Sequence, residues 1–372
     1  MRIVIAPDSF KGSLAAPAVA KAMATGVLRV FPTAEVHLLP LADGGEGTLE
    51  AVLVALNGER HVATVTGGHG KPLEAAWGQL ADGTAVVEAA QVVGLTLPDM
   101  AAVPIASRTT AGLGELLRHC LGLGVRRFWV GLGGSATNDG GVGMLAALGV
   151  RFLDHAGKLL EPKLENLNGL AGADFSTLDP RLQECDFLLL SDVDNPLLGP
   201  AGATAVFGPQ KGVLPGEVAR YDRCLEKVAQ AGDAWTGRKV SRQSGSGAAG
   251  GLGYAFLLLG GKFRRGAEEV GRLLGLDATL AGADWAITGE GRSDSQTLHG
   301  KAPLAVAKTA KAAGVPLTLL SGQIAPEADE ALAVWFGDRL SLVSGDVTVE
   351  QAMSETAERL ADLAERAARR KK

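Results

Sequence analysis

Acids set beside glycines or two residues apart, single cations among small residues, and long glycine runs recur together along this chain. Asp192 and Asp194 follow the apolar run Phe187-Leu188-Leu189-Leu190 and precede Asn195-Pro196. Two carboxylates so close repel each other unless a cation or a hydrogen-bond donor lies between them, so a functional pair is expected there. Lys11 lies in Asp8-Ser9-Phe10-Lys11-Gly12-Ser13, Asp43 in Asp43-Gly44-Gly45-Glu46-Gly47, and Glu290 and Arg292 in Gly289-Glu290-Gly291-Arg292-Ser293-Asp294. Glycine-rich stretches cover 131–143, with Gly133, Gly134, Ser135, Asn138 and Asp139, and 245–253, with Gly245 and Gly247. Lys211 and Lys301 add cations beside these loops. Phosphoryl transfer asks for this set: backbone N–H groups and cations around phosphates, carboxylates for Mg²⁺, and a group that positions or deprotonates an acceptor hydroxyl.

Other chemistries lack their residues. No segment reads GxxxxGK[ST], so a Walker P-loop is absent, and Gly245-Ser246-Gly247-Ala248-Ala249-Gly250 matches GxGxxG in letters only, with no convincing strand before it. That stretch reads equally as the tightly packed start of a helix over 250–259 or as a phosphate contact. The histidines form no HxxxH or HxH pair, so zinc is not expected, and His299 reads as a turn or hydrogen-bond residue. Serine hydrolase chemistry lacks GxSxG. Asp43 reads either as a site acid or as the N-cap of the helix that follows it.

Strands and helices must hold these residues. Short apolar runs at Ile3-Val4-Ile5-Ala6, 36–39, 285–288, 316–320 and 340–343 alternate with helical stretches at 15–30, 46–56 and 302–313. Runs buried on both faces that alternate with helices predict a parallel sheet. Val349, Met353, Leu360, Leu363 and Ala367 recur near a helical period and predict one amphipathic helix packed through that stripe. The middle of the chain has strand candidates at 85–88, 128–130 and 187–190 and longer irregular loops. The expected organisation is therefore one α/β domain from residues 1–62 plus 284–372, with 63–283 inserted as a second α/β domain and the active site in the cleft between them. Within the end-built sheet every polar loop, including Ser321-Gly322 and Ser344-Gly345, follows a strand, and open α/β sheets bind ligands at that edge.

Composition sets the outer bounds. The 372 residues are 47% hydrophobic and 21% charged, as in ordinary globular proteins, and 51 glycines without a collagen period imply many tight turns or close backbone approaches. A net charge of −5 and a pI near 5.8 give no electrostatic footprint for nucleic acid or an anionic membrane. Three cysteines without a CxxC pair, and no apolar run long enough to span a bilayer, fit a cytoplasmic chain. The basic tail Arg369-Arg370-Lys371-Lys372 complements a helix C-terminus.

Six segments in order carry a resemblance. They are Ala6 to Ser13, Ala42-Asp43-Gly44-Gly45-Glu46-Gly47-Thr48, Gly133 to Gly141, Ser191-Asp192-Val193-Asp194-Asn195-Pro196-Leu197, Phe207-Gly208-Pro209-Gln210-Lys211-Gly212, and Thr288 to Lys301. Together they resemble the bacterial glycerate kinases that lack a Walker motif. One departure is the string Thr109-Thr110-Ala111-Gly112-Leu113-Gly114-Glu115, where a richer hydroxyl loop is expected. The resemblance implies a flavodoxin-like parallel-sheet domain formed by both chain ends with a large inserted α/β domain. It also implies ATP- and Mg²⁺-dependent phosphorylation of D-glycerate, with 2-phosphoglycerate favoured over 3-phosphoglycerate. On that footing Asp192, Lys11 and Arg292 are expected to be catalytic, and Asp8, Ser9, Lys211 and Lys301 to bind substrate. Gly133, Gly134, Ser135, Asn138, Gly245 and Gly247 are expected around the nucleotide, and Asp194 and Glu290 at the metal. A kinase for another hydroxy acid or sugar acid, or an acid-sensing regulator without turnover, are the alternatives.

Overall fold

The computed structural model describes residues 1–345 and 347–372, and the side chain of His299, with the expectation made for it, lies outside the described set. The strands in chain order begin with β1 (Arg2–Ile5), β2 (Glu35–Leu38), β3 (Glu59–Thr66), β4 (Pro72–Gln79), β5 (Ala85–Glu88) and β6 (Arg127–Gly131). They continue with β7 (Arg151–Asp154), β8 (Leu170–Asp174), β9 (Asp186–Leu190), β10 (Lys262–Arg264), β11 (Trp285–Ser293), β12 (Leu317–Ile324) and β13 (Asp338–Ser341). Two compact units result, one of residues 1–43, 50–57 and 265–372, the other of 44–49 and 58–264.

The first unit is a five-stranded sheet in the order β13-β12-β11-β1-β2, parallel throughout. Numbered within the unit, this is the 2-1-3-4-5 order of a flavodoxin-like doubly wound fold. Ile3, Ile5, Trp285 and Ile287 form a core with Val19, Met23 and Val27 of helix Ala16–Val30 and with Leu360, Leu363 and Ala367 of helix Thr356–Lys371. These helices close on each other tightly, since a Cβ at Gly26 would collide with the Ala361 carbonyl. Helix Ala302–Ala312 packs on β11 and β12.

The second unit holds a six-stranded sheet, β10-β9-β6-β5-β4-β3, in which β4 runs antiparallel to both β5 and β3 while the rest are parallel. A separate antiparallel pair joins β7 to β8. Its core gathers Trp77, Phe128, Phe187, Leu189 and Phe256.

Unit boundaries fall at 57/58 and 264/265 rather than at 62/63 and 283/284. Strand β3 pairs with β4 along its whole length, which draws residues from Glu59 onward into the six-stranded sheet. At the other end an ion pair from Lys308 to Glu268, 2.6 Å, ties helix Gly266–Leu273 to helix Ala302–Ala312 of the first unit.

Two further expectations are corrected. Residues 289–293 and 321–322 continue strands instead of forming loops, with Glu290 paired to Ser321 and Arg292 to Gln323. Their glycines serve close approach between strands, because a Cβ at Gly289 would meet the Leu320 carbonyl and one at Gly322 the Gly291 carbonyl. The closing amphipathic helix is broken at Glu355 into Val349–Ser354 and Thr356–Lys371, so Val349 and Met353 leave the packed stripe and are about half exposed. No described helix is long and apolar enough to cross a membrane.

Candidate active site

In the first unit β1 lies between β2 and β11, and the chain moves outward from β1 to β2 on one side and from β11 to β12 on the other, so the order reverses between β1 and β11. That switch point is where a doubly wound sheet opens a crevice at the carboxyl ends of its strands. A cavity of about 340 Å³ occupies it. The segment after β1 contributes Asp8, Ser9 and Lys11, β11 contributes Glu290 and Arg292, β12 contributes Gln323, and Lys301 enters from the start of helix Ala302–Ala312.

Asp8 is 3% exposed and accepts a hydrogen bond from the Ser9 N–H at 2.6 Å. Burial, with Asp43 adding repulsion, pushes its carboxyl up to about 8 against the pull of Lys11. Lys11 Nζ sits 3.2 Å from Asp43 Oδ2, and that carboxylate holds the Lys11 ammonium above its ordinary range. Asp43 is thus a member of the charged cluster.

Glu290 is buried and fully engaged. Its Oε1 accepts from Ser293 Oγ at 3.0 Å and Thr297 Oγ1 at 2.6 Å, and its Oε2 faces Lys301 Nζ at 3.3 Å. Burial raises its carboxyl although Lys301 and the two hydroxyls oppose the shift. Asp294 accepts from Gln296 N–H and lies 4.0 Å from Lys301 and 3.5 Å from Arg292. The Arg292 side chain is largely exposed. The result is a buried carboxyl floor with three cations above or beside it, suited to holding an anionic reactant.

The second unit gathers the two glycine-rich stretches against each other. Gly140 N–H donates to the Gly250 carbonyl at 2.9 Å, and Gly247 N–H donates to the Asn195 carbonyl at 2.9 Å. Gly247 lies so close to Pro196, and Gly245 to the Phe263 ring, that side chains would collide there. Gly133 lies against Gly45, with its N–H donating to the Gly44 carbonyl, and Gly134 receives the Leu95 N–H on its carbonyl. Lys211 is buried, its ammonium donating to Ser135 Oγ at 3.0 Å and to the Thr137 carbonyl at 2.9 Å. Burial lowers this ammonium to about 7.

Asp139, also buried, accepts from Thr110 N–H and Oγ1 and from Gly141 and Gly143 N–H. Burial raises its carboxyl against those donors. The Thr109-Thr110 string therefore anchors the 135–143 loop, and Arg108 joins it through the carbonyls of Ala136 and Lys211. Asn138 Nδ2 donates to Thr204, whereas Thr137 Oγ1 and Asn138 Oδ1 are buried with no hydrogen-bond partner. Asp192 is half-buried and Asp194 exposed, both just past β9.

One part of the cavity went unread in the sequence. Part of its lining is apolar: Phe10, Leu342, Val343, Val349, Ala352 and Met353. The available signal was the i, i+4 pair Val349 and Met353, which looked like more of the packed helical stripe.

Among the described residues no group of three or more His, Cys, Asp or Glu side chains is disposed to hold a metal ion. Mg²⁺ is commonly held by one or two carboxylates together with substrate phosphates, a role open to the exposed Asp194 just past β9. A cavity lined by both cations and apolar side chains suits a nucleoside phosphate.

Comparison with known proteins gives one answer at sequence and structure level. The family model described as "Glycerate kinase family" matches residues 3–372. A Bacillus subtilis (strain 168) protein named glycerate kinase is 43% identical over 96% of this chain and 94% of its own length. Glycerate 2-kinase of Escherichia coli (strain K12) is 42% identical over 87% of this chain and 86% of that protein. A crystal structure described as "putative glycerate kinase 2 from Salmonella typhimurium LT2" superposes with a TM-score of 0.85 at 42% identity, covering 100% of this chain and 98% of that one. With its sequence matched from residue 3 to its last residue, the chain belongs to the glycerate kinase family.

Proposed function

We propose that this protein transfers a phosphoryl group from ATP to D-glycerate, giving 2-phosphoglycerate. The observation that carries it is the switch-point cavity, with its cations and buried carboxyls, in a chain that matches the family along its length. The 2-phosphoglycerate product rests on the likeness to the Escherichia coli protein named glycerate 2-kinase.

In phosphoryl transfer little covalent work falls to the protein, so positioning and charge stabilisation dominate. Lys11, Arg292 and Lys301 neutralise the anionic groups that the two reactants bring together, the glycerate carboxylate and the phosphoryl oxygens. Asp43 and Glu290 hold Lys11 and Lys301 in place for this, at 3.2 and 3.3 Å. Asp192 orients or accepts the proton of the acceptor hydroxyl. Mg²⁺, when bound, would offset triphosphate charge, with Asp194 as its carboxylate, since Glu290, expected beside it, is taken up by Ser293, Thr297 and Lys301.

ADP release measured with Mg-ATP should depend on D-glycerate, and phosphorus NMR of the product should show the ester at the 2-hydroxyl. Asp192→Asn is expected to fold normally and to lose about 10²-fold or more in turnover. Release of ADP no faster with D-glycerate than without it would exclude the kinase, and near-normal turnover in the Asn variant would remove Asp192 from the chemistry.

A further inference from the structure

The charged lining of the cavity, Lys11, Glu290, Arg292 and Lys301, is accounted for by the reaction, but its apolar lining is not. D-glycerate carries an oxygen on every carbon and gains nothing from Val343, Val349 and Met353. The protein's own packing does not use them fully either. Val349 is 48% and Met353 46% exposed, although both belong to a segment whose next helix buries Leu360 and Leu363 in the core. Met353 is held in place on the wall by its short helix, whose N-terminus is fixed by the reciprocal bonds of Thr348 and Gln351. The helix that follows is pinned by the hydrogen bond between Thr356 and Ser13, on the loop that also carries Lys11.

Among the reactants of the proposed reaction, one group offers a large, flat and mostly apolar surface, the purine base. A thioether packs favourably on an aromatic ring, and aliphatic walls remove its faces from water. The same cavity is lined by Lys11, Arg292 and Lys301, cations that can meet the phosphates.

We infer that the first unit binds the nucleotide, its base received on the wall of Val343, Val349 and Met353 and its phosphates directed toward Lys11, Arg292 and Lys301. This rests on the kinase assignment for the identity of the nucleotide, but its tests read binding. Val349 and Met353 thereby become base-contacting residues, and the break at Glu355 is what frees them from the core.

Oxidation by hydrogen peroxide, read by mass spectrometry on the full chain, tests this without a mutation. Met23, Met100 and Met144 are buried, so Met1 and Met353 are the accessible thioethers, and Met1 serves as an internal control. Saturating ATP should slow oxidation of Met353 by about five-fold or more and leave Met1 unchanged, while tripolyphosphate, which lacks a base, should give no protection. The doubly truncated variant Val349→Ser/Met353→Ala, changed at two half-exposed positions, should weaken ATP by about ten-fold or more in calorimetric titration and tripolyphosphate by less than about two-fold.

Equal oxidation of Met353 with and without ATP, or an unaltered ATP affinity in the variant, would overturn the assignment. So would protection that grows with protein concentration in the absence of nucleotide, which would mark a contact between two copies. Loss of ATP binding in the variant, in a protein that turns over no D-glycerate, would support the base site and sink only the choice of phosphoryl acceptor.

Discussion

Asp8 and Lys211 show how much a single residue's role depends on its surroundings. A buried carboxyl held near pH 8 keeps its proton in the folded protein, whereas the unfolded chain releases it near the ordinary aspartate value of 3.8. Between those values the folded state binds the extra proton, so the Asp8 contribution to stability is fully present at low pH and is lost as pH rises through about 8. Asp8→Asn cannot ionise and escapes that loss. Its stability relative to the parent chain, followed by urea unfolding, should climb by up to about 1.4 kcal/mol per pH unit across this window and then level off. Parallel curves for the two proteins would mean that Asp8 titrates normally. Lys211 has the opposite sign. Its ammonium is lowered to about 7, so its contribution grows as pH rises from about 7 toward the usual lysine range. The sequence marks Lys211 as a cation beside a glycine loop, but only its burial against Ser135 and Thr137 shows that the loop itself is what it holds.

At the scale of elements, glycine is where sequence and structure part most clearly. Gly289, Gly291 and Gly322 read as loop residues because glycine usually marks turns, yet here they let β11 and β12 run on past the apolar core and carry Glu290 and Arg292 to the cavity. Gly26 offers a sharp test. In an exposed helix interior, Gly→Ala stabilises by up to about 1 kcal/mol. Here the added methyl would strike the backbone of Ala361, so Gly26→Ala should instead destabilise by about 1–3 kcal/mol in chemical denaturation. A stabilised variant would show that the two helices can part at little cost. The apolar runs of the first sheet were legible because a parallel strand is buried on both faces. The β3–β4 pair was not, since β3 alternates exposed and buried residues and carries charges at its start.

For the whole molecule, charge and topology make separate statements. A net charge of −5 and a pI near 5.8 leave little self-repulsion just below neutrality, so solubility should pass through a minimum near pH 5.8, measurable as light scattering across a pH series. A scattering maximum above pH 7 would require surface patches of one sign instead. Topology gives the flavodoxin-like order from segments more than two hundred residues apart in sequence, with Ile3 beside Trp285 and Ile5 beside Ile287. The alternation of strand and helix at both chain ends announces such a sheet, and the one-sided placement of polar residues announces its ligand edge.

By itself, then, the sequence determined the α/β class, the polar edge of the sheet and, through six ordered motifs, the family. These follow from local periodicity and composition, which are written residue by residue. Tertiary structure alone decided that Asp8 is buried with Asp43 and Glu290 near it, that Lys211 is a strut, and that Val349 and Met353 face a cavity. Each of those depends on which distant segment lies alongside, and desolvation, ion pairing and the break at Glu355 arise only once the chain has packed.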